Sequence, residues 1–197
     1  MLFAPGLLAA LESVYLVALC AWVGAILYFS FGVAPIIFRV LSADQGAKFV
    51  RALFPRYYAW GTYCGAIALA AYIGGVMTHP ELRGPRVLAT ALPLLIGTLI
   101  MLYCGNALTP AINAARDAGP GQKAKFDRLH KLSVRLNSVV LLAGLALLVA
   151  FAARPRPGTT GMIELTPEQR AERSYQSGVT TQKDYDEAVK RYRAAQK

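Results

Sequence analysis

Residues 13–38 read SVYLVALCAWVGAILYFSFGVAPIIF, 26 consecutive positions without a charged side chain. Three further uncharged runs of 22, 29 and 18 residues occupy positions 57–78, 87–115 and 136–153. Because a hydrocarbon core of about 30 Å is crossed by about 20 helical residues, each run is long enough to span a bilayer. Strands of a membrane barrel instead alternate over about ten residues. The sequence therefore predicts an all-α membrane protein, a bundle of four transmembrane helices.

The composition of the 197-residue chain agrees with this class. Hydrophobic residues make up 55% and charged residues 16%, well below the roughly 25% charged residues of a typical soluble domain. The formal net charge of +10 comes from basic residues that flank the spans, so we expect no nucleic-acid partner. Loop 1 (39–56) and loop 3 (116–135) carry ten of the Lys and Arg residues, against four on the other face. The positive-inside rule then places both loops in the cytoplasm and both termini outside a bacterial inner membrane.

The chain divides into three predicted parts: a transmembrane domain (1–153), a linker (154–165) and a soluble helical hairpin (166–197). The linker is rich in proline and arginine, which favours an extended segment. The hairpin is too small to bury much apolar surface, so we expect it to dock on other membrane subunits or on a second copy. The residues expected to form that docking face are Tyr175, Tyr185, Val189 and Tyr192.

Both basic loops contain predicted helices. In loop 1, Ser42 and Gln45 have capping-box spacing, and an apolar stripe follows until Pro55. This pattern predicts a short helix lying in the membrane interface. Loop 3 becomes helical near Gln122. There, Arg128, Lys131 and Arg135 form a basic stripe that suits anionic lipid headgroups. Asp127 lies four residues before Lys131, so we expect these two side chains to form an ion pair.

Span 2 carries the strongest predicted packing motif. Gly61 and Gly65 have the GxxxG spacing that lets two membrane helices approach closely. We therefore expect these two glycines at the packing centre of the bundle. The aromatic residues at the start of span 2 are typical of an interfacial belt, and they are Tyr57, Tyr58, Trp60 and Tyr63.

Polar side chains within spans 3 and 4 predict an intramembrane polar cluster. Asn106 and Asn113 are seven residues apart and thus share one side of span 3. An unsatisfied polar group in lipid costs several kcal/mol, so these amides require protein or water partners. Span 4 offers such partners, and we expect a cluster of Asn106, Asn113 and Asn137; the neighbouring hydroxyls are Ser133 and Ser138.

Candidate ligands for a metal or cofactor are few. Cys20, Cys64 and Cys104 lie one each in spans 1, 2 and 3, where they act either as small core thiols or as a soft-metal relay. We predict no resident metal site. His130 is the best placed cofactor ligand, because a neutral imidazole at the membrane edge can bind haem iron or chlorophyll magnesium. Its alternative role is a hydrogen-bonded packing residue.

Several motifs together resemble a known family. They are Trp22-Val23-Gly24 with Ala34-Pro35, Phe54-Pro55-Arg56-Tyr57-Tyr58, Thr109-Pro110-Ala111-Ile112-Asn113, and Phe126-x-x-Leu129-His130-x-x-Ser133-x-x-x-Asn137. Across residues 7–153 they resemble a four-helix family of bacterial membrane proteins of unknown function that includes an animal transmembrane protein linked to platinum-drug resistance. The resemblance implies the fold and no reaction.

Two weaker resemblances concern metal binding by the spans and the role of the C-terminal tail. The spans are distantly similar to the membrane domain of copper-resistance proteins, but the chain has no His-rich or Met-rich cluster, so no copper ligands carry over. Residues 176–186 resemble a short C-terminal helical hairpin appended to many bacterial proteins, which implies oligomerisation or protein contacts.

Three functional hypotheses remain open. Nucleophile elbows, phosphate-binding glycine loops and HExxH motifs are absent from the sequence, so we expect no enzyme activity. The first hypothesis is a non-catalytic accessory or scaffold subunit of a larger membrane complex. The second is a small transporter or metal-handling protein that uses the cysteines or the asparagine cluster. The third is a haem- or pigment-ligating subunit that uses His130.

Overall fold

The computed structural model describes residues 5–79, 82–84, 86–154, 172, 174–176 and 181–194, and every regular element in them is helical. Span 1 consists of α1 (Pro5–Leu27), a π-helical segment (Tyr28–Val33) and α2 (Ala34–Val40). Span 2 is α3 (Ala43–Thr78), and span 3 consists of α4 (Arg86–Tyr103), a π-helical segment (Cys104–Leu108) and α5 (Thr109–Asp117). A 3-10 turn (Pro120–Gln122) leads into span 4, α6 (Lys123–Ala152), and the tail contains α7 (Gln182–Ala194).

The predicted fold class is confirmed. Four helices are long and apolar enough to cross a membrane: Gly6–Val40, Ala43–Thr78, Arg86–Asp117 and Pro120–Ala152. The architecture is that of a multi-pass membrane protein. The chain divides into two compact units, the membrane bundle Met1–Ala152 and the tail Ala153–Lys197.

Helix α3 lies at the centre of the bundle. It packs against α1 and α4, and α6 packs against α1, α4 and α5. About 39% of the apolar window of α3 is buried, against 17–28% for the other spans. Spans 1 and 2 run antiparallel, since Leu11 near the start of α1 faces Gly74 near the end of α3, and Phe29 contacts Phe54 at the opposite end. The central helix therefore offers contacts to its neighbours along its whole length.

Loop 1 differs from the prediction in one respect. Ser42 caps the helix as expected, with its Oγ accepting from Gln45 N at 3.3 Å while Gln45 Oε1 accepts from Ser42 N at 3.1 Å. No break follows, because α3 runs through Pro55 into span 2. Proline removes one backbone donor from the ladder, whereas ending the helix there would leave its last four C=O groups without intrahelical partners at the membrane surface. The predicted interfacial helix is thus the first part of span 2.

Each π-helical segment lies directly before a proline-containing helix. Pro35 follows the segment in span 1, and Pro110 follows the segment in span 3. A proline ring clashes with the carbonyl four residues earlier in an ordinary α-helix. The wider π turn gives that carbonyl room, so both spans continue across their proline without a break. The two segments lie at the end of the bundle that carries loops 1 and 3, which we call the basic end.

Part of the tail prediction lies outside the described residues: residues 155–165 of the linker and, in the hairpin, residues 166–171, 173, 177–180 and 195–197. The second hairpin helix is present as α7. Thr181 precedes it, and its Oγ1 accepts a hydrogen bond from Asp184 N at 3.4 Å. A threonine side chain thus caps the start of this helix.

Candidate functional site

The packing centre of the bundle is a slot between glycines that the indole of Trp22 fills. A Cβ added at Gly61 would lie 3.1 Å from Trp22 Nε1, and one at Gly97 would lie 2.8 Å from Trp22 Cη2. A Cβ at Gly65 would lie 3.0 Å from Trp22 Cη2 and Cζ3. Only residues without a Cβ allow α1, α3 and α4 to close around this ring. We call Gly61, Gly65 and Gly97 the glycine slot.

The tryptophan in the slot is nearly fully buried. Its side chain is 3% exposed, and its Nε1–H has no hydrogen-bond acceptor among the described residues. A buried donor without a partner costs about 1–3 kcal/mol, so the packing of the ring must outweigh that loss. Fully buried apolar side chains belong to the same core cluster as Trp22, including Leu19, Ile26 and Leu94. The centre of the bundle is therefore closely packed.

A polar cluster lies at the basic end of the bundle and joins three spans. Tyr57 Oη donates to Asn137 Oδ1 at 2.8 Å, linking α3 to α6. The neighbouring Tyr58 is 4% exposed and lies close to Ser133 on α6, whose Oγ donates to the His130 carbonyl at 3.0 Å. Cys104 of span 3 lies near both phenol rings and is buried. We call Tyr57, Tyr58, Cys104, Ser133 and Asn137 the tyrosine cluster.

The two π-helical segments position this cluster. Gly105, in the segment of span 3, lies so close to Tyr58 that an added Cβ would be 2.9 Å from the tyrosine Cβ. Phe29, in the segment of span 1, packs on Phe54 and Tyr57 with ring centroids 5.3 and 5.2 Å away. π-helical turns occur often at functional sites. Here they bring spans 1 and 3 onto the tyrosine pair of span 2.

The chemistry available at the tyrosine cluster is hydrogen bonding. Its members are two phenols, a hydroxyl, an amide and a thiol, and none of them is a carboxylate, an imidazole, an amine or a guanidinium. No group of three or more His, Cys, Asp and Glu side chains suited to a metal ion occurs in the described part of the chain. The arrangement can hold α3 and α6 in one register or bind a small polar ligand.

The three predicted asparagines occupy different environments. Asn137 is half-buried and belongs to the tyrosine cluster. Asn106 is exposed, and its Nδ2 donates to the Leu102 carbonyl of its own helix at 2.9 Å. Asn113 is half-buried on α5. In the described structure no hydrogen bond joins these three side chains, and the partner that Asn137 finds is a tyrosine of span 2 rather than an amide of span 3.

The candidate ligands lie apart from one another. His130 is exposed on α6, and its ring stacks on Phe126 with centroids 5.9 Å apart and an interplanar angle of 0°. Cys20 is exposed, whereas Cys64 and Cys104 are buried, and all three thiols are free. An exposed imidazole on an outer helix face is open to a neighbouring molecule. The role of His130 as a cofactor ligand stays a prediction.

In the tail, two of the predicted docking residues meet. Tyr175 and Tyr185 stack with ring centroids 5.4 Å apart. Val189 lies one turn beyond Tyr185, and both are half-buried while most of α7 is exposed. The side chain of Tyr192 lies outside the described residues. The apolar face of the predicted hairpin thus brings at least Tyr175 and Tyr185 together.

Sequence reasoning missed the tyrosine cluster, because it assigned four aromatic residues to one interfacial belt. Trp60 and Tyr63 are 53% and 66% exposed, as a belt requires. Tyr57 and Tyr58 turn inward instead. The available signal was the four-residue spacing of Ser133 and Asn137, which places two polar groups on one face of span 4 opposite the tyrosines. The contact of Gly97 with Trp22 had no sequence signal.

Comparison with known protein families gives one match. Residues 17–121, more than half of the chain, match a family described as a domain of unknown function, DUF4149. The chain belongs to the DUF4149 family. The DUF4149 region contains the glycine slot and three members of the tyrosine cluster, whereas Ser133 and Asn137 lie beyond it in span 4. No curated protein and no solved structure matches the chain.

Proposed function

We propose that this DUF4149 protein is a non-catalytic accessory or scaffold subunit of a larger membrane complex. The observation that carries the proposal is the closely packed centre of the bundle, where Trp22 fills the glycine slot and belongs to a core cluster of buried apolar side chains. Such an interior provides no polar path for a substrate. Function then falls to the outer surfaces of the bundle and to the tail.

The outer surfaces suit contacts with other proteins in the membrane. Only 17–39% of each apolar span is buried within the bundle, so most of every helix faces lipid or a partner. In the tail, Tyr185 and Val189 form an apolar stripe on a helix that is otherwise charged. We propose that this stripe docks on a partner subunit or a second copy, as the resemblance to an oligomerisation hairpin implies.

The proposal also covers the orientation of the protein in the membrane, its family relationships and a second candidate function. The basic end faces the cytoplasm of a bacterial inner membrane, because ten Lys and Arg residues flank the spans there. The four-helix family with the animal platinum-resistance protein is the relative that the motifs favour. A haem or pigment at His130 is a second candidate, favoured by the exposure of that imidazole on the outer face of α6.

Capture of the tagged chain from its native membrane in a mild detergent tests the proposal. Mass spectrometry identifies the eluted proteins and their stoichiometry, and a visible spectrum detects haem or chlorophyll. We expect membrane proteins at fixed stoichiometry. Recovery of the chain alone, as a stable monomer, would contradict the subunit role, and an eluate without a Soret or chlorophyll band would remove the His130 candidate.

A matched pair of tail variants shows whether the docking stripe is responsible. Tyr185→Lys with Val189→Lys places charges on the apolar face of α7. Lys183→Gln with Lys190→Gln changes two exposed residues on the opposite face of the same helix. We expect the first variant to lose the partners and the second to keep them. Equal retention by both variants would place the partner contact elsewhere.

A further inference from the structure

The outer face of α6 combines basic and apolar side chains in an order that matches a phospholipid. Arg128, Lys131 and Arg135 follow one another at intervals of three or four residues and are all exposed. Continuing at the same intervals, this face carries Val139 and Leu142, which are 54% and 66% exposed. Residues three and four apart share one side of a helix. One exposed strip therefore changes from cationic to apolar along the helix.

The length of α6 places this change at the membrane surface. The helix has 30 residues and is on the order of 45 Å long, about 15 Å more than the hydrocarbon core. Its last 17 residues, from Leu136, are uncharged. Arg135 thus lies at the boundary, with Arg128 and Lys131 at headgroup depth and Val139 and Leu142 beside the acyl chains.

The three basic side chains are uncompensated within the described structure. Asp127, which was expected to pair with Lys131, instead bonds to Lys123, with Nζ and Oδ2 3.0 Å apart. Other basic residues at this end do have partners: Lys48 pairs with Asp44, and Arg51 pairs with Asp117. No ion pair involves Arg128, Lys131 or Arg135 in the described ranges. Their charge is available to an anion outside the chain.

We propose that this face of α6 binds one anionic phospholipid, with its phosphate between Arg128, Lys131 and Arg135 and an acyl chain along Val139 and Leu142. Guanidinium groups hold phosphate oxygens in a bidentate manner. The net negative charge of an anionic headgroup favours this occupant over a zwitterionic lipid, because the three basic residues repel the cation that a zwitterionic headgroup carries. An acidic protein segment would match the charges but not the apolar continuation of the face. The proposal does not depend on the accessory role.

Native mass spectrometry of the full-length chain in a neutral detergent tests the site. The probes are dioleoyl phosphatidylglycerol, dioleoyl phosphatidylcholine, a short-chain phosphatidylglycerol and inorganic phosphate. The test variant is Arg128→Gln, Lys131→Gln, Arg135→Gln. The control removes three exposed charges elsewhere: Arg39→Gln, Lys183→Gln, Lys190→Gln. Circular dichroism shows that both variants keep their helices.

We expect the wild-type chain to retain the long-chain anionic lipid in preference to the other three probes. Each basic residue near an anionic headgroup changes the affinity by roughly fivefold, so the test variant should bind on the order of a hundredfold more weakly. The control should bind like the wild type. Equal retention of phosphatidylcholine, equal weakening of the control, or displacement of the lipid by inorganic phosphate would each overturn the proposal. Occupation of this face by an acidic protein segment in place of lipid would also overturn it.

Discussion

Replacing Gly65 by alanine tests the glycine slot directly. The new Cβ would lie 3.0 Å from two ring atoms of Trp22 and even closer to Thr98 Oγ1. The ring is buried, and the Thr98 hydroxyl would have to give up its 2.7 Å hydrogen bond to the Leu94 carbonyl to move aside. Overpacking of a closely packed interior costs about 1–3 kcal/mol. We expect Gly65→Ala to lower the free energy of unfolding by that amount.

The matched control is the same substitution at Gly24. This glycine lies in the helical part of span 1 and is exposed, and nothing lies within 4 Å of a Cβ placed there. Alanine in a helix interior is favoured over glycine by roughly 0.5–1 kcal/mol. Gly24→Ala should therefore leave the bundle as stable as the wild type or stabilise it. The two variants should differ by roughly 1.5–4 kcal/mol.

Unfolding in mixed micelles of a mild and a denaturing detergent, followed by circular dichroism, measures the difference. Trp22→Phe supplies a further test, because the smaller ring no longer reaches the new Cβ. With phenylalanine at position 22, Gly65→Ala should lower the free energy of unfolding by at least about 1 kcal/mol less than it does with tryptophan there, because residues in contact have non-additive effects. Equal stability of the two alanine variants, or the same cost with phenylalanine at position 22, would refute the slot.

Three further predictions concern the basic end of the bundle. Tyr57→Phe removes the hydrogen bond to Asn137 and should cost about 0.5–1.5 kcal/mol in the same unfolding assay; an unchanged midpoint would contradict the link between spans 2 and 4. Gly105→Ala drives a Cβ against Tyr58 and should cost about 1–3 kcal/mol, so a wild-type midpoint would argue against the close approach. Asp117→Asn breaks the exposed ion pair with Arg51, and at high salt it should leave the free energy of unfolding unchanged, because salt screens exposed charges. A loss of stability that persists at high salt would mean that the pair is shielded from water.

The transmembrane helices were predictable because the property that specifies them, a long run of uncharged residues, is local in the sequence. A run such as residues 13–38 must be helical in lipid, where every backbone group needs a partner within its own segment. The capping box of Ser42 and Gln45 was equally readable, since it joins residues three positions apart. What the capping box did not predict was the continuation of α3 through Pro55. Whether a proline ends a helix depends on its surroundings, because the membrane surface penalises a break there.

The tyrosine cluster shows the limit of such reasoning. Tyr57, Trp60 and Tyr63 have similar amphipathic side chains, and their sequence pattern fits a lipid-facing belt. Only the placement of α6 beside α3 turns Tyr57 toward Asn137, eighty residues later in the chain. The π-helical segments are similar cases, because a widened turn is specified by neighbouring helices as much as by Pro35 or Pro110.

From its sequence alone, this protein is a basic, four-span membrane protein with a charged tail, because length, hydropathy and charge act segment by segment. The tertiary structure decided which glycines enclose Trp22, which aromatic residues face inward and which of the described basic residues form ion pairs. Each of these outcomes depends on side chains from different spans meeting at one depth. Helix packing sets that depth and rotation through contacts distant in sequence, which no single segment encodes.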